Sequence, residues 1–230
     1  MRQDDRERQK LKRDRQALRS EIGSLLVTQG LYDVSAEELP RCWDTLRLWD
    51  GSPLPPRLRQ RLERSQARLA VLEEQLAELE RERHESVRTG RGATEKKVGL
   101  LVALRGIGEA SAFPLIEEFG WRDFRSGRQV GAAAGLTGSP WRSGKTQREQ
   151  GISKAGNARV RSLAVELGWL WLRHQPLSAL SHWYRRRFAG GNKRLRRVGI
   201  VALARRLLIA LWRYWSAGVI PEGAVFKPAQ

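Results

Sequence analysis

Eight positions in the first half of the chain, Leu58, Leu62, Ser65, Leu69, Leu72, Leu76, Leu79 and Arg83, follow one another at alternating steps of four and three. A mean step of 3.5 residues keeps one stripe on one side of a helix, whereas a strand needs alternation by two. The stripe is flanked by Arg and Glu, so it predicts a long coiled-coil helix starting near Arg57. Residues 6–26 predict a second charged helix, with Leu11, Leu18, Ile22, Leu25 and Leu26 at spacings of three, four and seven, ended by Gly30. Between the two, Asp33, Pro40, Asp50, Gly51, Pro53, Pro55 and Pro56 punctuate rather than propagate helix. Two outcomes are open to the seam. It packs back on residues 6–26 or it pairs with a second copy, and a homo-oligomer through the coiled coil is the expectation.

At residues 89–95 the chain reads T-G-R-G-A-T-E, a short Gly-rich linker, and beyond it the composition turns basic and Trp-rich. The expected organisation is a helical arm over 1–95 and a compact basic domain over 96–230. Residues 121–230 hold 21 Lys and Arg against 4 Asp and Glu, which is +17 of the chain's +18. Like charges within a Debye length of ~8 Å repel unless a polyanion offsets them. Nucleic acid is that polyanion, and the excess of Arg favours forked contacts to phosphate or guanine. One cysteine, Cys42, excludes an intramolecular disulfide framework and a Cys-cluster zinc site, and the scattered His84, His174 and His182 supply no metal site. The longest apolar stretch, 198–215, is interrupted by Arg205, Arg206 and Arg213, so no membrane partner is expected. With no signal peptide visible, the expected location is cytoplasmic and nucleoid-associated.

The fold class that follows is mainly α: a long helical coiled-coil arm, then a compact helical domain. Residues 98–104 and 109–119 predict two short helices around Gly106-Ile107-Gly108, the pattern of a helix-hairpin-helix whose Gly106 and Gly108 amides meet a DNA phosphate; a tight helix connection needing glycine is the other reading. Residues 135–161 read as a loop without core residues, in which Ser139, Ser143 and Ser153 stand among Arg142, Lys145, Arg148, Lys154, Arg159 and Arg161. That setting suits either a serine attacking a phosphodiester or plain phosphate binding. Ser153 or Asn157 then caps a helix with the stripe Val160, Leu163, Ala164, Leu167, Leu170 and Trp171. Arg159 and Arg161 in its first turn oppose the helix dipole, which points to an anionic ligand. Further phosphate contacts are expected from Arg185, Arg186 and Arg187, and from Lys193, Arg194, Arg196 and Arg197, the two runs that bracket Gly190-Gly191. The stretch S-P-W-R-S-G-K-T at 139–146 is one residue away from a phosphate-binding loop, but no buried strand precedes it and no apolar helix follows.

These residues together resemble the C-terminal part of the DEDD-type insertion-sequence transposases, the family described as bridge-RNA-guided serine recombinases. The resemblance rests on L-R-G-I-G-E at 104–109, R-Q-V-G-A-A-A-G-L at 128–136, Ser143-Gly144, and G-I-S-K-A-G-N at 151–157 running into Arg159 and Arg161. It implies that Ser143 is the nucleophile on a DNA phosphodiester, that DNA and a structured guide RNA are partners, and that Asn157 belongs with the nucleic-acid contacts. It also implies a RuvC-like domain whose acidic residues bind magnesium. No strand-borne or paired Asp precedes the coiled coil, so this chain alone is expected to bind no cofactor, to need that domain for magnesium, and to be a truncated frame, a relic or a fragment that works only with a complete partner, without autonomous activity.

Overall fold

The leucine spacing produces the two longest helices of the computed structural model, α1 (Arg2–Val27) and α3 (Pro56–Thr89). The structure describes the backbone of residues 2–90, 92–143 and 146–228, and the side chains of residues 5–90, 92–139 and 151–228. It divides into two units, Met1–Glu85 and Ser86–Gln230.

In the first unit α1 and α3 run antiparallel, as their cross-pairs require. Asp5 pairs with Arg83 at 3.1 Å, Arg8 with Glu80 at 2.7 Å, Arg19 with Glu73 at 2.7 Å and Glu21 with Arg61 at 3.1 Å, so partner numbers fall on α3 as they rise on α1. Leu62 and Leu69 are buried in one cluster with Ile22 and Leu26, and Ser65 and Leu76 are covered as well. The seam is thus buried inside a single chain. Each buried leucine contributes about 1.5–3 kcal/mol, whereas an ion pair open to solvent, such as Glu21–Arg61, contributes about 0–1 kcal/mol; the Asp5–Arg83 pair is itself buried. The leucines therefore hold the hairpin, and the charges set its direction and register. Residues 31–56 do more than punctuate: Ser35 and Glu38 form a reciprocal capping box that starts α2 (Leu39–Cys42), and Leu39, Leu46 and Leu54 complete the cluster.

The second unit holds α4 (Ala93–Ala103), α5 (Glu109–Leu115) continuing as a π turn over Ile116–Gly120, α6 (Gly127–Ala133), β1 (Gly138–Ser143), β2 (Thr146–Ile152), α7 (Ala158–His174), α8 (Ala179–Tyr184) continuing as a π turn over Arg185–Ala189, and α9 (Lys193–Ala217). The stripe on α7 is core, as its spacing predicts: Val160, Ala164, Leu167 and Trp171 are buried, and Leu163 and Leu170 pack beside them. Gly168 lets α9 approach closely, since a Cβ there would stand 3.2 Å from Ile200 Cδ1. Residues 138–152, expected as loop, instead form an antiparallel hairpin in the register Trp141↔Arg148, Arg142↔Gln147 and Ser143↔Thr146. The expectation of no core residues over 135–161 also fails, because Leu136 is buried in the core and Ile152 packs against it.

Residues 224–227 lie along the segment between α4 and α5. Arg105 N donates to Val225 O at 3.0 Å, Lys227 N donates to Ala103 O at 2.8 Å, and Leu104 bridges Phe226. The fully buried Gln175 ties both together: its Nε2 donates to Arg105 O and Val225 O, and its Oε1 accepts from Val225 N.

Leu62→Ala removes a side chain with no exposed surface and is expected to destabilise the first unit by about 2–5 kcal/mol, read from the urea midpoint of the helical circular-dichroism signal. A pH dependence follows from Glu80, which the hydrogen bond from Arg8 holds below its ordinary pKa of 4.5. In the folded state that carboxyl binds fewer protons than in the unfolded chain. Its contribution is therefore complete above 4.5 and is lost as pH falls through the lowered value. Unit 1 should weaken on acidification below pH 4.5, and Glu80→Gln should flatten that part of the stability profile.

Candidate nucleic-acid interface

The hairpin stands on a backbone crossing. The chain enters it from α6 through Ala134-Gly135-Leu136 and leaves it through Ser153-Lys154-Ala155-Gly156 into α7. Gly135 has φ +67°, and Gly156 lies so close that a Cβ on it would strike Ala133 O and Gly135 N. Three backbone hydrogen bonds seal the contact: Asn157 N to Ala133 O at 2.7 Å, Ser153 N to Thr137 O at 2.8 Å and Lys154 N to Gly135 O at 3.2 Å. Lys154 itself adopts φ +58°, a left-handed conformation that costs energy in a residue with a Cβ and marks a tightly determined turn.

Asn157 caps α7 as its position predicts, accepting from Arg159 N at 3.0 Å and Val160 N at 3.1 Å. Its Nδ2 donates to Glu118 Oε2 at 2.9 Å, and Arg159 Nη1 pairs with Glu118 Oε1 at 3.5 Å. Glu118, on the π turn after α5, therefore holds the start of α7 from both sides. Burial lowers the Arg159 guanidinium from its ordinary pKa. Arg161 Nη1 donates to Ala134 O at 3.2 Å and Lys154 O at 3.1 Å, bracing both feet of the hairpin. Within the chain, Glu118 faces Arg159, loop carbonyls face Arg161, and Asn157 caps the helix.

Gly106 also has a structural duty, whereas Gly108, the residue before α5, has open space where a Cβ would stand. Gly106 adopts φ +86°, and a Cβ there would approach His174 Cβ to 2.8 Å. The turn's carbonyls are held too, Arg105 O by Gln175 and Ile107 O by Lys227 Nζ at 2.8 Å. The P-loop resemblance of 139–146 ends in strand geometry, since Thr146 opens β2 rather than a helix. Ser143 pairs with Thr146 at the far end of the hairpin. The side chains of Arg142, Ser143 and Arg148, and Lys145 altogether, lie outside the described residues.

At the foot of the hairpin a groove of about 790 Å³ runs beside α9. Lys154, Arg194, Arg197, Arg205 and Arg206 line it, and among the described residues no carboxylate does. Arg194, Arg197 and Arg205 stand three and eight residues apart, close to whole helical turns, and Arg206 adjoins them, so one side of α9 presents them together. Arg205 and Arg206 were legible by that spacing, although at first sight they only interrupt an apolar stretch. Arg186, Arg187, Lys193 and Arg196 are exposed on either side of Gly190-Gly191, and Arg185, also exposed, donates to Pro176 O at 2.8 Å. Gly199 brings α9 against the ring of Phe188, which holds the two basic runs near each other. Among the described residues no group of three or more His, Cys, Asp or Glu is placed to hold a metal ion. No helix among them is long and apolar enough to cross a membrane.

Gly156→Ala puts a methyl group against two backbone atoms that cannot swing aside. It is expected to cost about 3 kcal/mol, seen in calorimetry as a lowered Tm.

Residues 99–182 match the family described as Transposase IS116/IS110/IS902. The matched span takes in the G-I-G turn, the Glu118 clamp, the glycine crossing, the hairpin and α7. A putative transposase of Sinorhizobium fredii (strain NBRC 101917 / NGR234), y4rJ, is 39% identical over 241 residues, covering 97% of this chain and 61% of that protein. A probable family 20 transposase of Pseudomonas aeruginosa is 32% identical over 163 residues, 70% of this chain and 47% of that protein. The transposase for insertion sequence element IS1328 of Yersinia enterocolitica is 26% identical over 170 residues, 73% and 48% of the two. The chain thus spans about half to three-fifths of the length of these relatives.

Proposed function

We propose, from the match of residues 99–182 to the family described as Transposase IS116/IS110/IS902, that the chain acts in DNA transposition, binding DNA through its basic second unit and offering Ser143 as the nucleophile of strand cleavage. The observation that carries this reading is the groove at the foot of the Ser143 hairpin, with five cations and, among the described residues, no carboxylate on its walls. Such walls hold phosphodiesters. A strand lying there has its backbone next to the hairpin, and the basic runs around Gly190-Gly191 extend the contact.

In the proposed step Ser143 Oγ forms a bond to the scissile phosphorus, the bond from phosphorus to one deoxyribose oxygen breaks, and the serine proton ends on the departing oxygen. Attack by a hydroxyl of a second strand on the phosphoserine rejoins DNA and returns the serine. Guanidinium groups favour this chemistry by stabilising charge on the phosphoryl oxygens. Magnesium, which the family resemblance implies, finds no fitting set of ligands among the described residues, and Glu118 is already engaged by Asn157 and Arg159. We assign the metal to a separate RuvC-like domain, and a structured guide RNA to the same assembly. Without them the chain binds DNA and does not cut it.

The test uses the full chain and duplex DNA. Affinity should fall steeply between about 50 and 200 mM salt, as counterion release from several phosphates requires. Ser143→Ala should leave binding within about twofold while abolishing any covalent protein–DNA adduct formed when a RuvC-like domain, magnesium and guide RNA are supplied. Salt-independent binding refutes the interface, and an adduct mapped to Ser139 or Ser153 refutes the nucleophile.

A further inference from the structure

The groove beside α9 has a second character besides charge. Between its arginines the floor is apolar, built by Val198, Val201 and Ile209, and Val198 is 56% exposed. A duplex presents phosphates and sugars to such a wall and gains little from the valine methyls. An unpaired strand turns its bases to the floor while its phosphates meet the cations. Trp183 lines the same groove, and the Arg206 guanidinium lies 4.2 Å over its ring, making a flat cationic platform of the kind on which a base stacks.

From this combination we infer that the groove holds an unpaired stretch of DNA, with phosphates on Arg194, Arg197 and Arg205 and bases on Val198 and the Arg206–Trp183 platform. The inference deepens the DNA-binding reading given above and rests on it. It places separated strand, rather than intact duplex, at the foot of the hairpin that carries Ser143.

The experiment compares three fluorescein-labelled probes on the full-length chain at about 100 mM salt: oligo(dT) of about 20 nucleotides, a DNA duplex of equal length, and oligo(U) of equal length. Oligo(dT) is expected to bind at least about fivefold more tightly than duplex. Val198→Ser, a small change at an exposed site that leaves net charge unaltered, should bring that ratio close to one. Arg206→Gln, which removes half of the stacking platform, should lower the ratio independently. Equal affinity for oligo(dT) and duplex, or a ratio that neither variant moves, overturns the inference while DNA binding itself stands. Tighter binding of oligo(U) than of oligo(dT) gives the groove to RNA and overturns the assignment to DNA. If none of the three probes binds, the underlying DNA-binding reading fails as well.

Discussion

Two glycines, Gly135 and Gly156, let two stretches of backbone touch with nothing between them, and the chemistry of the second unit hangs from that contact. The hairpin is polar and two-stranded, and such a unit has little stability of its own. Its position comes from its feet, which the crossing fixes in place. Leu136 and Ile152 anchor those feet in the core, Arg161 ties their carbonyls together, and Glu118 holds the α7 cap that follows. Side chains at either glycine would wedge the feet of the hairpin apart.

The arginines divide into two populations by the company they keep. Arg159 and Arg161 sit in the first turn of a helix, where a cation is electrostatically unwelcome, and each finds a compensating anion or carbonyl within the protein. Among the described residues, Arg194, Arg197 and Arg206 lie with no carboxylate beside them in the groove, and solvent reaches all three. Charge at the α7 start thus meets groups of the same chain, while charge along α9 faces solvent.

Large periodic signals in the sequence translate directly into structure. The heptad stripe becomes α3, the α7 stripe becomes core, and Asn157 and Asn192 cap where an Asx residue precedes a helix. The hairpin was hidden because its strands lack alternating apolar residues, so its composition mimics a loop. Glu118 was invisible for a different reason. It meets Asn157 across 39 residues of chain, and no local spacing announces such a pairing. The glycines of the G-I-G turn were noticed, but the constraint on Gly106 comes from His174, which sequence proximity does not reveal. The partner of the leucine seam was undecidable from the seam alone, because a stripe states that it must be covered and not by which helix.

The strand-like pairing of residues 224–227 with residues 103–107 bears on how the second unit assembles. Lys227 reaches Ile107 across 120 residues, and the buried Gln175 is satisfied only when Val225 is in place. An amide buried without its partners costs free energy, so the core around α4, α5 and α7 stays imperfect until that segment arrives. During synthesis the helices form locally and early, while the closing contact, of high sequence separation, must wait for residue 227 to leave the ribosome. The second unit therefore completes its fold late and in a single closing step, and a nascent chain stalled before residue 225 carries an open seam beside the Leu104–Ile107 turn.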